Sequence, residues 1–213
     1  MILKSYEVEK SKFHKFDSRS FLLYGENYGL KKELHEKIIS SLKKDKIEFE
    51  KFTYFEDDIL KNAENLHEII FSGSLFSETK IIYIHNATDK IVNDLESIIE
   101  KLPKDVFLIV LSEALEKKSK LRNFFEKNKN SICIACYLDN EKSLEIITRR
   151  ELAKEKINLS TESINLLIRK ANGDRNNLNN DLKKISSISQ NGKKIDYDQI
   201  KNLVNTTSEI KHE

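Results

Sequence analysis

Residues 21 to 34 read FLLYGENYGLKKEL: an apolar run, a glycine turn and the start of a helical pattern. A phosphate-binding loop of the form G-x-x-x-x-G-K-[ST] uses this strand–turn–helix layout. Its backbone N–H groups surround phosphates, its lysine reaches the terminal ones, and its hydroxyl holds Mg²⁺. Here Gly25 is followed by Glu-Asn-Tyr-Gly29, a compressed glycine spacing. The stretch where Lys-Ser/Thr should stand reads Leu30-Lys31, then Lys32. No hydroxyl is offered to a metal, and Glu26 brings negative charge to the place of a phosphate. The pattern predicts the architecture of a nucleotide switch without its chemistry, and so a structural or partner-binding role.

The elements that must position this loop follow from periodicity. Apolar, β-rich runs recur at 21–24, 49–55, 80–85, 106–111 and 132–137. FLLY, IIYI and VFLIVL are continuously apolar, as strands buried on both faces are. Between them Leu30, Leu34, Ile38 and Leu42 repeat every four residues, and further helical stripes run over 59–70, 91–99 and 121–125. Strands alternating with helices predict βαβ units and a parallel sheet. After Leu138 only helical patterns remain. Ser160, Asp174 and Asp196 stand at N-cap positions and Gly173 at a helix end. The expected fold is therefore α/β: a parallel-sheet, nucleotide-binding-type domain over 1–139, then a small all-α lid bundle over 140–213.

Composition narrows the function classes. Five glycines and one proline in 213 residues argue against disorder and against a turn-rich all-β fold. Residues 1–140 carry 23 basic and 24 acidic side chains, residues 141–213 carry 14 and 11, so only the second part leans towards phosphate contact. Cys133 and Cys136, three apart in a β-like run, point to opposite faces and read as core cysteines rather than a metal or disulfide pair. There is no nucleophile elbow, HExxH or paired-cysteine zinc pattern, so neither a catalytic residue nor a metal site is expected. MILKSYEVEK lacks the apolar core of a signal peptide, and no 18-residue apolar run is present. The expectation is a soluble protein of a reducing cytosol, without contact to a membrane.

The α/β-plus-lid layout resembles an AAA+ module. More specifically, FLLYGENYGLKKEL, SGSLFSETKIIYI, LIVLSEALEKKSKLRNFFEK and ITRRELAKEKINLSTESINLLIRKANGDRNNLNNDLKKI resemble the delta subunit family of the bacterial DNA polymerase III clamp loader. The resemblance implies a subunit that neither binds nor hydrolyses ATP, needs no cofactor, and helps open the ring-shaped β sliding clamp. It implies delta prime and tau or gamma as partner subunits, and primed DNA met through the assembled loader. The family's C-terminal collar domain has no counterpart in the sequence, which predicts a largely monomeric chain.

The same resemblance assigns residues. Ser74, Leu75 and Phe76, set in GSLFSE, correspond to the clamp-binding element, two large apolar groups on a polar segment. A degenerate nucleotide site, not expected to bind, comprises Gly25, Gly29, Lys31, His85, Asn86, Ser112 and Asn176. His85-Asn86 stands where an active relative ends a strand in Asp-Glu to hold metal and polarise water. Ser112 occupies a phosphate-sensing place and is expected only to cap or turn. Asn176 stands where the lid arginine belongs, and Arg175, one residue early, is expected to point elsewhere. Lys117, Lys118, Lys120, Arg122, Arg149 and Arg150 are candidate DNA-phosphate contacts. Two rival readings are an active AAA+ ATPase with an atypical loop, which the missing groups oppose, and a nucleic-acid-binding module, which the neutral first part opposes.

Overall fold

The computed structural model describes residues 2–4, 18–44, 49–73, 79–189 and 195–209. Among them, six strands form one sheet: β1 (Ile2–Lys4), β2 (Ser20–Tyr24), β3 (Phe49–Phe55), β4 (Thr79–His85), β5 (Val106–Ser112) and β6 (Ser131–Ala135). The spatial order is β1-β6-β2-β5-β4-β3 and every pairing is parallel. The strands read as continuously apolar lie inside the sheet, and FEKFTYF, which alternates half-buried with exposed residues, forms the edge strand β3. The other edge, β1, was not anticipated: three residues on a sheet edge carry no readable period.

Nine helices are described: α1 (Tyr28–Lys44), α2 (Glu56–Lys61), α3 (Ala63–Phe71), α4 (Val92–Glu100), α5 (Lys120–Lys127), α6 (Glu141–Lys154), α7 (Thr161–Ala171), α8 (Arg175–Ser189) and α9 (Tyr197–Glu209). The chain divides into two compact units. One is Met1–Glu26 with Lys31–Tyr137, the other Asn27–Leu30 with Leu138–Glu213. The sequence places the boundary two residues later, and nothing in it groups 27–30 with the helical part.

In the first unit, the β2-to-β3 crossover runs one way across the sheet and the later ones run back. Right-handed crossovers then place α1 on one face and α3, α4 and α5 on the other. The second face is a single cluster. Leu22, Tyr24, Ile82, Ile84, Leu108 and Val110 of the sheet meet Leu66, Ile70, Leu95, Ile98, Leu121 and Phe125 of the helices. On the first face, Leu34 and Ile38 are buried and His35 of α1 hydrogen-bonds the Tyr83 hydroxyl at 2.8 Å. The stripe expected over 59–70 is broken at Asn62, which ends α2 and whose side chain accepts from the Asn65 N–H to start α3. An asparagine side chain competes with the helix backbone and so favours a cap. The last strand stops at Ala135, two residues short of the expected end, and Tyr137 is 53% exposed.

Neither cysteine is in a disulfide, both are buried, and burial pushes the Cys133 thiol up to about 12. No described helix is long and apolar enough to cross a membrane.

The second unit is a helical bundle around Leu144, Ile147, Ile164, Leu167, Leu178, Leu182, Ile185, Ile200 and Val204. Its helices begin at side-chain caps. Asn140 accepts from the Ser143 N–H, Ser160 from Ser163, Asp174 from Asn176 and Asp196 from Gln199. Each such cap contributes about 1 kcal/mol, and three of the four stand at the positions that the sequence indicates.

Candidate functional site: the loop after the second strand

β2 is paired on both sides and apolar on both faces, so the chain leaves it under tight constraint. Gly25 adopts φ +129°, a region that side-chain-bearing residues rarely enter. Its N–H is shared between the carbonyls of Ser112 and Glu113, at 3.3 and 3.2 Å. On the other side the Cys136 N–H donates to the Tyr24 carbonyl, and a Cβ at position 25 would lie 2.2 Å from the Cys136 carbonyl oxygen. The turn is thus held between the ends of β5 and β6.

Counted from Gly25, Lys31 is the seventh residue and stands at the lysine position of G-x-x-x-x-G-K-[ST], with Lys32 in the hydroxyl position. This corrects the compressed spacing read from the glycines: Leu30 replaces the second glycine, and the lysine itself is retained. Its ammonium is nevertheless engaged. Lys31 is buried, its Nζ donates to the Ser112 carbonyl at 3.1 Å, and it lies 3.6 Å from Glu113 Oε1. The Ser112 hydroxyl donates to the Ala87 carbonyl at 2.6 Å. Both polar groups of Ser112, the last residue of β5, are thus hydrogen-bonded within the fold.

His85 ends β4 half-buried, its ring tilted on Phe55 at 5.4 Å between centroids. Burial, and next the Lys31 charge, hold its pKa below the usual histidine value, so the ring is neutral at pH 7. Asn86 follows in the left-handed region at φ 57°. No carboxylate pair stands here, and among the described residues no cluster of three His, Cys, Asp or Glu could hold a metal.

In the second unit the polar centre is Asp139. Arg175 grips it with two hydrogen bonds, Nε to Oδ2 at 2.9 Å and Nη2 to Oδ1 at 2.8 Å, with side chains 4% and 8% exposed. Asn27 Nδ2 and Ser143 Oγ donate to the same carboxylate at 2.8 and 3.0 Å. Asn27 also caps α1, its Oδ1 accepting from the Leu30 N–H at 3.0 Å. Gly29 permits this packing, since a Cβ there would lie 2.4 Å from the Asn176 nitrogen. Burial pushes the Asp139 pKa up, but the Arg175 hydrogen bonds and charge, then Asn27 and Ser143, outweigh it and hold the carboxyl below its usual range. Sequence reasoning missed this cluster. The cap signal of an Asn before a helix was readable; a partner 112 residues away was not.

The candidate DNA contacts separate. Arg122 is committed within its unit: Nε to Glu126 at 2.7 Å, Nη1 to the Leu115 carbonyl, and the guanidinium over the Tyr24 ring at 5.2 Å. Arg149 pairs with Glu145 and Arg150 with Glu151 at the surface. Lys118 pairs with Glu116, while Lys117 and Lys120 are exposed. Ser74, Leu75 and Phe76 lie outside the described residues.

Two substitutions test this geometry. Gly25→Ala adds a clash and a forbidden φ, and should cost roughly 3 kcal/mol or more in a urea titration. Asp139→Asn leaves Arg175 buried without its anion and should cost about 3 kcal/mol at pH 7. Because the folded-state pKa of Asp139 is depressed, its contribution is complete above the unfolded value of about 4 and is lost as pH falls through the lower folded value. The gap between wild type and Asp139→Asn should therefore narrow below about pH 4, measured by circular dichroism in urea.

Comparison with known proteins agrees with this fold. The family model described as DNA polymerase III, delta subunit matches residues 21–137. A Rickettsia prowazekii protein named "Probable DNA polymerase III subunit delta" is 27% identical over 160 residues, covering 73% of this chain and 46% of its own. The chain thus spans about half the length of that curated relative. The Bacillus subtilis DNA clamp loader delta protein superposes with a TM-score of 0.60 at 19% identity, covering 94% of this chain and 62% of its own. Domain III of the Thermotoga maritima replication initiation protein DnaA gives 0.57 at 12% identity, covering 95% and 90%. The Thermotoga maritima RuvB Holliday junction branch migration motor gives 0.56 at 14% identity, covering 95% and 66%. These structural neighbours identify the fold as AAA+-like, and with the delta-subunit family model covering more than half of its residues, the chain belongs to the DNA polymerase III delta subunit family.

Proposed function

We propose that this chain is the non-catalytic clamp-opening arm of a clamp loader. It holds the β sliding clamp through Leu75 and Phe76, works beside delta prime and tau or gamma subunits, and meets primed DNA through the assembled loader. Lys117, Lys118 and Lys120 are the exposed lysines that would face phosphate. The observation that carries the non-catalytic part is Lys31: the retained lysine of the nucleotide loop is buried on the Ser112 carbonyl and beside Glu113. A phosphate would have to displace both. The lid arginine that would support it is replaced by Asn176, and Arg175 is bound to Asp139.

Without hydrolysis, this chain's work on the clamp is driven by binding. A ligand shifts an equilibrium only by its differential affinity for the two states. The Leu75/Phe76 pair must therefore hold the strained clamp better than the closed one. Family membership supports this reading, as does the setting of the pair: two large apolar residues between Gly73-Ser74 and Ser77-Glu78.

Isothermal calorimetry with Mg-ATP should detect no binding in or below the micromolar range. A micromolar constant would instead favour an ATPase with an atypical loop. Leu75→Ala with Phe76→Ala should weaken clamp binding by about 3 kcal/mol, over roughly a hundredfold, while the thermal melt stays unchanged. Surface plasmon resonance on immobilised clamp reads the first and a melting curve the second. Unchanged affinity rejects the pair as the site; lost affinity with a collapsed melt makes it core.

A further inference from the structure

The chain leaves β5 through EALEKKS and enters α5 at Lys120. Within this stretch the Ser119 N–H donates to the Glu116 carbonyl at 3.0 Å, which closes a β-turn with Lys117 and Lys118 at its two corners. Both corner residues are exposed, as is Lys120. The Lys118 ammonium lies 3.0 Å from Glu116 in a pair open to solvent, which adds little. Three side chains hold the turn from outside it. Arg122 Nη1 donates to the Leu115 carbonyl at 3.3 Å. Asp89, 30 residues before Ser119, accepts from the Ser119 hydroxyl at 2.6 Å and from the Leu121 N–H at 2.9 Å. Asn123 Nδ2 donates to the Lys117 carbonyl at 3.0 Å and to the Ser119 carbonyl at 2.7 Å, so both of its amide protons are engaged by the turn. The lysines are thus carried on a backbone that is set before any partner arrives.

We infer that Asn123 is a positioning residue for DNA-phosphate contact, an inference that rests on the proposed role of Lys117 and Lys120. The helix by itself does not call for an asparagine here. Alanine is the better helix former, and Asn123 is only partly buried, so neither propensity nor core packing selects it. Its two bonds instead fix the backbone on either side of Lys118, next to Lys117 and Lys120. A lysine meets phosphate as a point charge on a flexible stem, so its backbone is the part that can be fixed in advance. Fixing it in the folded chain reduces the ordering that binding must supply. Asp89 already takes the Leu121 N–H at the start of α5, which leaves phosphate contact to the lysine side chains.

The test measures binding of the full chain to a fluorescent primer–template duplex by anisotropy, from about 50 to 200 mM salt, with a urea midpoint for each variant. Asn123→Ala should fold and bind about fivefold more weakly, the effect of leaving one residue's backbone to be ordered on binding. Its salt dependence should be shallower by about 0.9 in slope, the share of one phosphate contact. Asn123→Gln, which keeps both donors on a longer arm, should recover part of the loss. A role in stability alone would lower the urea midpoint but leave the affinity and slope of the folded chain unchanged. Wild-type affinity or a wild-type slope in folded Asn123→Ala therefore overturns the inference. Should Asn123→Ala fail to fold, Asn123→Ser is read in the same way, because its hydroxyl reaches the carbonyl four residues back and gives up the bond to Lys117. Lys117→Gln with Lys120→Gln separates the two levels. If that variant binds like wild type, or the wild-type chain does not bind, the phosphate-contact reading itself falls and the role of Asn123 falls with it. If it binds more weakly while Asn123→Ala binds like wild type, only the role of Asn123 falls.

Discussion

The end of β5 at Ser112 is the point on which the loop after β2 depends. Its carbonyl receives the Gly25 N–H and the Lys31 ammonium, and its hydroxyl holds the Ala87 carbonyl beyond β4. Three segments distant in sequence are thereby fixed by one residue of a buried strand. Polar groups buried at such a junction must be paired, because an unsatisfied one costs more than a made bond returns. The Lys31 ammonium is thereby engaged at the end of β5, beside Glu113.

The second unit answers a related problem in another way. The starts of α1 and α8 bring N–H groups and partial positive charge together, an arrangement that suits an anion. Here the anion is the carboxylate of Asp139, held by Arg175, Asn27 and Ser143. Gly29 allows the two helix starts to approach closely. Four donor bonds surround this carboxylate, and its depressed pKa keeps it charged through the neutral range.

The sequence by itself determined the class and most of the elements. Continuous apolar runs marked β2, β4 and β5 because a strand covered on both faces has no polar side to show. Periodic Leu and Ile marked the helices, and Ser160, Asp174 and Asp196 marked their starts, because a cap bonds only two or three residues ahead. Loss of the loop hydroxyl and of an acidic pair after β4 was also legible, since these are statements about residue type at fixed spacing. What the tertiary structure alone decided is where charges and donors go. Lys31 found Ser112 81 residues away, and Arg175 found Asp139 36 residues away. Lys80, which reads in the sequence as the start of an apolar strand, became the buried cap of α3. A side chain's propensity is local and shows in the chain. Its partner is set by which backbone ends the sheet order and helix packing bring within 3 Å or so, and no one-dimensional pattern carries that distance.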